Sequence, residues 1–187
     1  MFSDVLYFVL NILFSLFGIA LIIRAWMYAI RLHPFNPYVQ AVLRGTNWLV
    51  GPLRGVVKPS NRVDWPSLIA CWLTALVYLL LTWVLLTGQL PAAEGMVRSL
   101  AAAAVTMAKW AFNIVLWVTL IQAILSWVNP MAPIMPLLQT LTAPLLDPIR
   151  RFMPNLGGLD LSPLVLLVLA QVAIMMLQRF AFSIFGV

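Results

Sequence analysis

Gly51–Asp64 reads GPLRGVVKPSNRVD, and Asp147–Asp160, 96 residues further on, reads DPIRRFMPNLGGLD. Each stretch has a proline at its second place (Pro52, Pro148), an arginine two residues later (Arg54, Arg150) and an aspartate ten residues after that (Asp64, Asp160). In a chain that is 64% hydrophobic and 9% charged, such a charged phrase marks an internal repeat, which decides the architecture. Outward from the phrase the match persists. The same offset sets Pro37 on Pro133 and Thr46 on Thr142, and a two-residue gap brings Arg24-Ala25 onto Gln122-Ala123.

Charge-free runs flank both copies: Val5 to Ile23, Trp65 to Ala93, Trp110 up to but not including Asp147, and Leu161 to Gln178. A bilayer core takes about 20 apolar residues of helix. Four spans are therefore expected, in an all-α membrane protein. Continuous runs such as LVYLLLTWVLL exclude a β-barrel, whose strands alternate apolar and polar residues. The chain begins Met1-Phe2-Ser3-Asp4 without a basic n-region or a small-residue cleavage site, so the first apolar segment is expected to be retained.

Each copy holds two spans joined by a loop, so both copies have the same orientation. Such parallel repeats are related by an axis along the membrane normal. The expected division is residues 1–93 for the first repeat, 94–109 for an extracytoplasmic connector and 110–187 for the second. Lys and Arg fix the orientation. Arg24, Arg31, Arg44, Arg54, Lys58, Arg62, Arg150 and Arg151 fall at the two long loops, against Arg98, Lys109 and Arg179 on the other side. Both loops are then cytoplasmic, in a bacterial inner membrane, with the termini outside. The formal net charge of +6 reports this topology, not an affinity for nucleic acid. Trp26, Tyr28, Trp65, Trp110 and Trp127 stand at the span ends, as interfacial aromatics do.

The loops carry a helical period. From Pro37 to Arg54 the polar or small positions Gln40, Arg44, Asn47, Gly51 and Arg54 leave an apolar stripe on the other face, and Pro136 to Arg150 repeats the pattern weakly. Each loop is expected to hold an amphipathic helix, interfacial or re-entrant. Pro52 and Pro148 are expected to end or kink these helices. Asp64 and Asp160 precede the next spans, where a carboxylate caps the free N–H groups of the first turn. A cap plus an interfacial pairing of each Arg with an Asp, of its own repeat or of the opposite one, is the structural reading of the phrase. A basic pocket for an anionic lipid headgroup, or for an acidic segment of a partner, is the functional one.

At these residues the chain resembles the YggT family of small bacterial membrane proteins. The resemblance rests on LIIRAWMYAI with NP a dozen residues on, GPLRGVVKPSNRVD, LSWVNP and LTAPLLDPIRRFMPNLGGLDLSPLVLLVL, and covers nearly the whole chain. The second copy is the closer match, through Arg150-Arg151, Pro154, Gly157-Gly158, Asp160, Ser162 and Pro163. The first has Gly55 for the second Arg and Asn61-Arg62 for the Gly-Gly. The resemblance implies no settled reaction. Proposed roles in the family are osmotic or ion homeostasis and assistance to other membrane complexes. Plastid and cyanobacterial relatives are linked to haem attachment on cytochrome b and to nucleoid organisation.

The residues themselves offer little for catalysis. Five carboxylates, one His and one Cys include no HExxH, CxxCH or phosphate-binding loop, so no enzyme activity, metal or cofactor is expected. His33 reads as a turn residue before Pro34, and Cys71 lies alone within an apolar span. Ser67, Cys71, Thr74, Tyr78 and Thr82 share one face of the second span, and Thr119, Gln122, Ser126 and Asn129 one face of the third. Such stripes favour close helix contact over an aqueous path. Arg24 is expected to snorkel to the cytoplasmic boundary. The expected role is an accessory or scaffold subunit engaging other membrane complexes, itself or anionic lipid through the Pro-x-Arg…Asp loops. A small oligomeric channel is the alternative.

Overall fold

The computed structural model describes residues 2–152 and 160–185. Gly157, Gly158 and Pro154 of the second phrase lie outside the described residues. Among those described, six α-helices follow one another: α1 (Phe2–Ala29), α2 (Pro37–Val56), α3 (Trp65–Thr87), α4 (Ala93–Val128), α5 (Met135–Phe152) and α6 (Ser162–Phe185). Four of them, α1, α3, α4 and α6, are long and apolar enough to cross a membrane. Large apolar side chains such as Phe8, Leu16, Leu164 and Met176 stand exposed along these four, where hydrocarbon rather than water satisfies them.

Local chemistry explains the boundaries. Arg31, at φ 55°, turns the chain at the end of α1. Its guanidinium is tied to Asn61 Oδ1 at 2.9 Å, while Tyr28 donates to Ser60 O at 3.0 Å, so the segment before α3 is anchored to the end of α1. His33 lies in the intervening turn, its Nδ1 accepting the Phe35 N–H. Asn36 caps α2 by accepting the Tyr38 N–H at 2.9 Å, with Pro37 in the first turn where its missing N–H costs nothing. Gly88, at φ 71°, closes α3.

Pro52 and Pro148 do not end their helices: α2 runs on to Val56 and α5 to Phe152. A proline deprives the carbonyl four residues earlier of its donor. Those carbonyls belong to Trp48 and Pro144, both exposed, so the helix continues at modest cost. Residues 94–109, expected as a connector, are helical and continuous with the third span. The run Ala101–Ala104 has the best intrinsic helix propensity available, which favours continuity over a turn.

The chain divides into two compact units, Met1–Trp110 with Arg179–Val187, and Ala111–Gln178. In the first, α1 packs along α3, and α2 touches both. The close approach is made at Gly18, where the Cys71 Sγ–H points to the Gly18 carbonyl at 3.6 Å and Trp110 covers the bare Cα. Ser67, Cys71 and Thr74, one face of α3, are all buried, and Thr74 returns its hydroxyl to Ala70 O. This face is helix contact in the first unit. In the second unit α5 turns Met135, Leu138, Leu141, Thr142 and Leu146 inward.

Candidate functional site

Each unit builds a corner from one Pro-x-Arg…Asp phrase. In the first, Asp64 precedes α3 and its side chain is fully buried. It makes no backbone cap, contrary to the expectation: its Oδ2 accepts the Ser67 hydroxyl at 2.6 Å instead. The same oxygen faces Arg54 Nη2 at 3.4 Å and Arg24 Nε at 3.7 Å. Arg24 does not snorkel. It is 3% exposed, because α2 offers it Thr46 Oγ1 at 2.8 Å and Asn47 Oδ1 at 3.5 Å, and Asp64 supplies the counter-charge. Thr46 can accept because its own proton goes to Val42 O at 2.7 Å. Arg24 Nε and Asp64 Oδ1 are buried without a hydrogen-bond partner among the protein atoms, so Coulomb attraction rather than a hydrogen bond joins this pair. The first corner is closed by a guanidinium from its own chain.

The second corner uses the same parts with one change. Arg150 on α5 reaches Asp160 Oδ2 through Nε at 2.9 Å and Nη2 at 2.8 Å, and Asp147 Oδ1 through Nη1 at 3.3 Å. Asp160 Oδ1 accepts the Ser162 N–H at 2.9 Å, so here the expected cap forms. Gln122 stands where Arg24 stands in the first copy, and its Oε1 accepts the Thr142 hydroxyl. Thr142 also points its hydroxyl at Leu138 O at 3.0 Å, as Thr46 does at Val42 O. Without the extra guanidinium, the Arg150–Asp160 pair remains 42% and 44% exposed. It borders a cavity of about 530 Å³, whose lining includes Gln122, Ser126, Trp127 and Gln139. Sites for small molecules run from about 300 to 1,000 Å³. Arg151 is exposed and lies outside that lining.

Burial alone would raise the Asp160 pKa, but the Ser162 hydroxyl and N–H and the Arg150 guanidinium outweigh it and hold the carboxyl below its ordinary value. A carboxyl lowered on folding contributes stability above its unfolded pKa and loses it as pH falls through the folded value. Below about pH 4 the wild type should therefore lose thermal stability that Asp160→Asn never had. Melting curves of both, recorded from neutral to acid pH, should converge on the acid side. Parallel curves would show that the pair contributes nothing.

Sequence reasoning named Arg24, Pro52, Arg54, Asp64, Pro148, Arg150, Arg151, Gly157, Gly158 and Asp160, of which Gly157 and Gly158 lie outside the described residues. Within their own units the structure brings Arg24, Arg54 and Asp64 together, and separately Arg150 and Asp160. Arg151 and the two prolines contribute no side-chain contact to either corner. Thr46 and Thr142 were missed as participants, although their coincidence at the repeat offset was the signal. Gln122 was aligned with Arg24 and read as part of a polar stripe, but not as a participant in the corner. No group of three or more potential metal ligands occurs among the described residues.

Six helices, four of them able to span, and two polar corners at helix ends define a small multi-pass helical membrane protein. The chain belongs to the CCB3/YggT family, whose model matches residues 3–85 and 101–181. It is 36% identical over 169 residues to an uncharacterized Vibrio alginolyticus protein in the proC 3′ region, with 89% of each chain covered. Over 170 residues it is 32% identical to the uncharacterized protein YggT of Escherichia coli K12, covering 90% of this chain and 87% of that one. A Pseudomonas aeruginosa protein is 29% identical over 160 residues, covering 84% and 80%. No solved structure matches the chain.

Proposed function

We propose that the protein is a non-enzymatic accessory component of the bacterial inner membrane, which holds a neighbouring membrane constituent at the corner of its second repeat. The observation behind this reading is the contrast between the corners. One is filled by Arg24, whereas the other is assembled from Arg150, Asp160 and Ser162 and stands open at a cavity.

The duplicated hairpin and the amphipathic character of α2 and α5 belong to the same reading. They draw support from the matched pairs Thr46 and Thr142, Arg54 and Arg150, Asp64 and Asp160, and from the two stretches of similar length that the family model matches. The excess of Lys and Arg in the two long loops supports a cytoplasmic side for both corners on this reading.

The test is purification of the intact chain in mild detergent, with mass spectrometry of co-purifying proteins and retained lipids, beside an Arg150→Ala, Arg151→Ala variant. The variant should fold as the wild type does and lose a specific companion. An unchanged self-oligomer with no companion lost, joined by ion flux in proteoliposomes, would replace this reading with that of a channel.

A further inference from the structure

We infer that the cavity of the second unit binds the headgroup of a phospholipid that carries both a phosphate and a primary amine. This rests on the reading of the second corner as an open binding site. Three observations select the occupant. The first is charge. Of the charged groups only Arg150 and Asp160 line the cavity, one of each sign, and Asp147, paired with Arg150 from outside the lining, adds a second carboxylate, so the site has no excess of positive charge. A net-zero lining with both signs present matches a zwitterion. An anionic headgroup would leave Asp160 opposed, whereas an ammonium can bond to it and a phosphate can bond to Arg150.

The second is depth. The lining comes from the last turns of α4, from α5 and from the first turns of α6, which is one end of two candidate spans. Trp127, 73% exposed, marks that end as aromatics mark the headgroup level. Leu120, Ile124, Leu164 and Leu167 continue the wall along the spans, in the direction of acyl chains.

The third is the contrast with the first unit. There the equivalent space is taken by the Arg24 guanidinium, bound to Thr46 and facing a carboxylate. Gln122 is shorter and neutral, and it spends its carbonyl on Thr142. The second corner therefore has room beside Asp160 for a cation from outside the chain. An ammonium with N–H donors fits this place better than a trimethylammonium, which has none.

The experiment uses the full chain in nanodiscs of mixed phospholipid, with bound lipid read by native mass spectrometry. Wild type should retain ethanolamine phospholipid in preference to choline phospholipid, and both in preference to phosphatidylglycerol, with steps of about tenfold where a charge-assisted bond is lost. Gln122→Arg, which supplies the guanidinium internally, and Asp160→Asn should each reduce ethanolamine-lipid retention about tenfold. Preference for phosphatidylglycerol, or equal retention by wild type and both variants, overturns the inference. The wild-type ranking decides the matter even if Gln122→Arg fails to fold. If no lipid is retained but a co-purifying membrane protein is released by Gln122→Arg, the lipid assignment falls and the open-corner reading stands. If neither lipid nor protein depends on Gln122 or Asp160, both fall.

Discussion

Asp64→Asn should cost the protein about 3–5 kcal/mol of stability, because it strands the buried guanidinium of Arg24 without its counter-charge. Asparagine preserves the shape of the side chain, so the loss reports charge and not a cavity. The pair it breaks has side chains 2% and 0% exposed, so solvent offers no substitute. Arg54 also faces Asp64, but its side chain is 40% exposed and water can solvate it, so Arg54→Ala should cost no more than about 1 kcal/mol. Thermal unfolding in mild detergent separates these outcomes. Combining Asp64→Asn with Arg24→Met removes both buried charges and should restore part of the loss. A double variant as unstable as the sum of the singles would show that the two side chains do not interact.

Gly18→Leu should be the most damaging change in the apolar contact of the first unit. Even a Cβ at Gly18 would meet the Trp110 ring at 2.2 Å, well inside van der Waals contact. An indole packed against Tyr78 cannot swing aside as a flexible chain end would. Overpacking of this kind costs about 1–3 kcal/mol, with a leucine at the upper end. Gly18→Ala should act in the same direction with a smaller effect. Tryptophan emission should shift as Trp110 is displaced, and the melting temperature should fall. Wild-type melting in Gly18→Leu would mean that Trp110 of α4 does not pack against α1 at this residue. Gly45 and Gly55, which have nothing within 4 Å, provide controls at which alanine should be tolerated.

Much of the fold was legible because membrane helices announce themselves. The run beginning at Val5 falls within α1, those beginning at Trp65, Trp110 and Leu161 overlap α3, α4 and α6 but extend past their ends, and the stripe from Pro37 falls on α2. The repeat pointed to Arg–Asp pairing without choosing between partners of the same copy and of opposite copies; the pairs formed are Arg54 with Asp64 and Arg150 with Asp160. Less legible was what lies between positions that are distant in sequence. Arg24 looked like a boundary residue, because hydropathy sees a charge near a span end and cannot see Thr46 and Asn47 waiting on another helix. The two aspartates looked equivalent as caps. They differ because Ser67, three residues on, gives Asp64 its hydroxyl alone, whereas Ser162, two residues on, brings its backbone N–H to Asp160 as well as its hydroxyl. The exchange of Arg24 for Gln122 was visible in the alignment of the copies. Its consequence, a filled corner against an open one, needed the geometry.

The most direct measurement is a side-by-side purification of wild type, Asp64→Asn and Asp160→Asn in mild detergent, scoring thermal stability and bound lipid or protein per chain. The two substitutions are chemically identical and fall at matching places in the two copies. If the first corner holds the fold and the second holds a companion, Asp64→Asn will be unstable, and Asp160→Asn will be folded but emptied of what the wild type carries. Equal loss of stability at both positions, with the companion retained by Asp160→Asn, would show that both corners are structural and contradict the account.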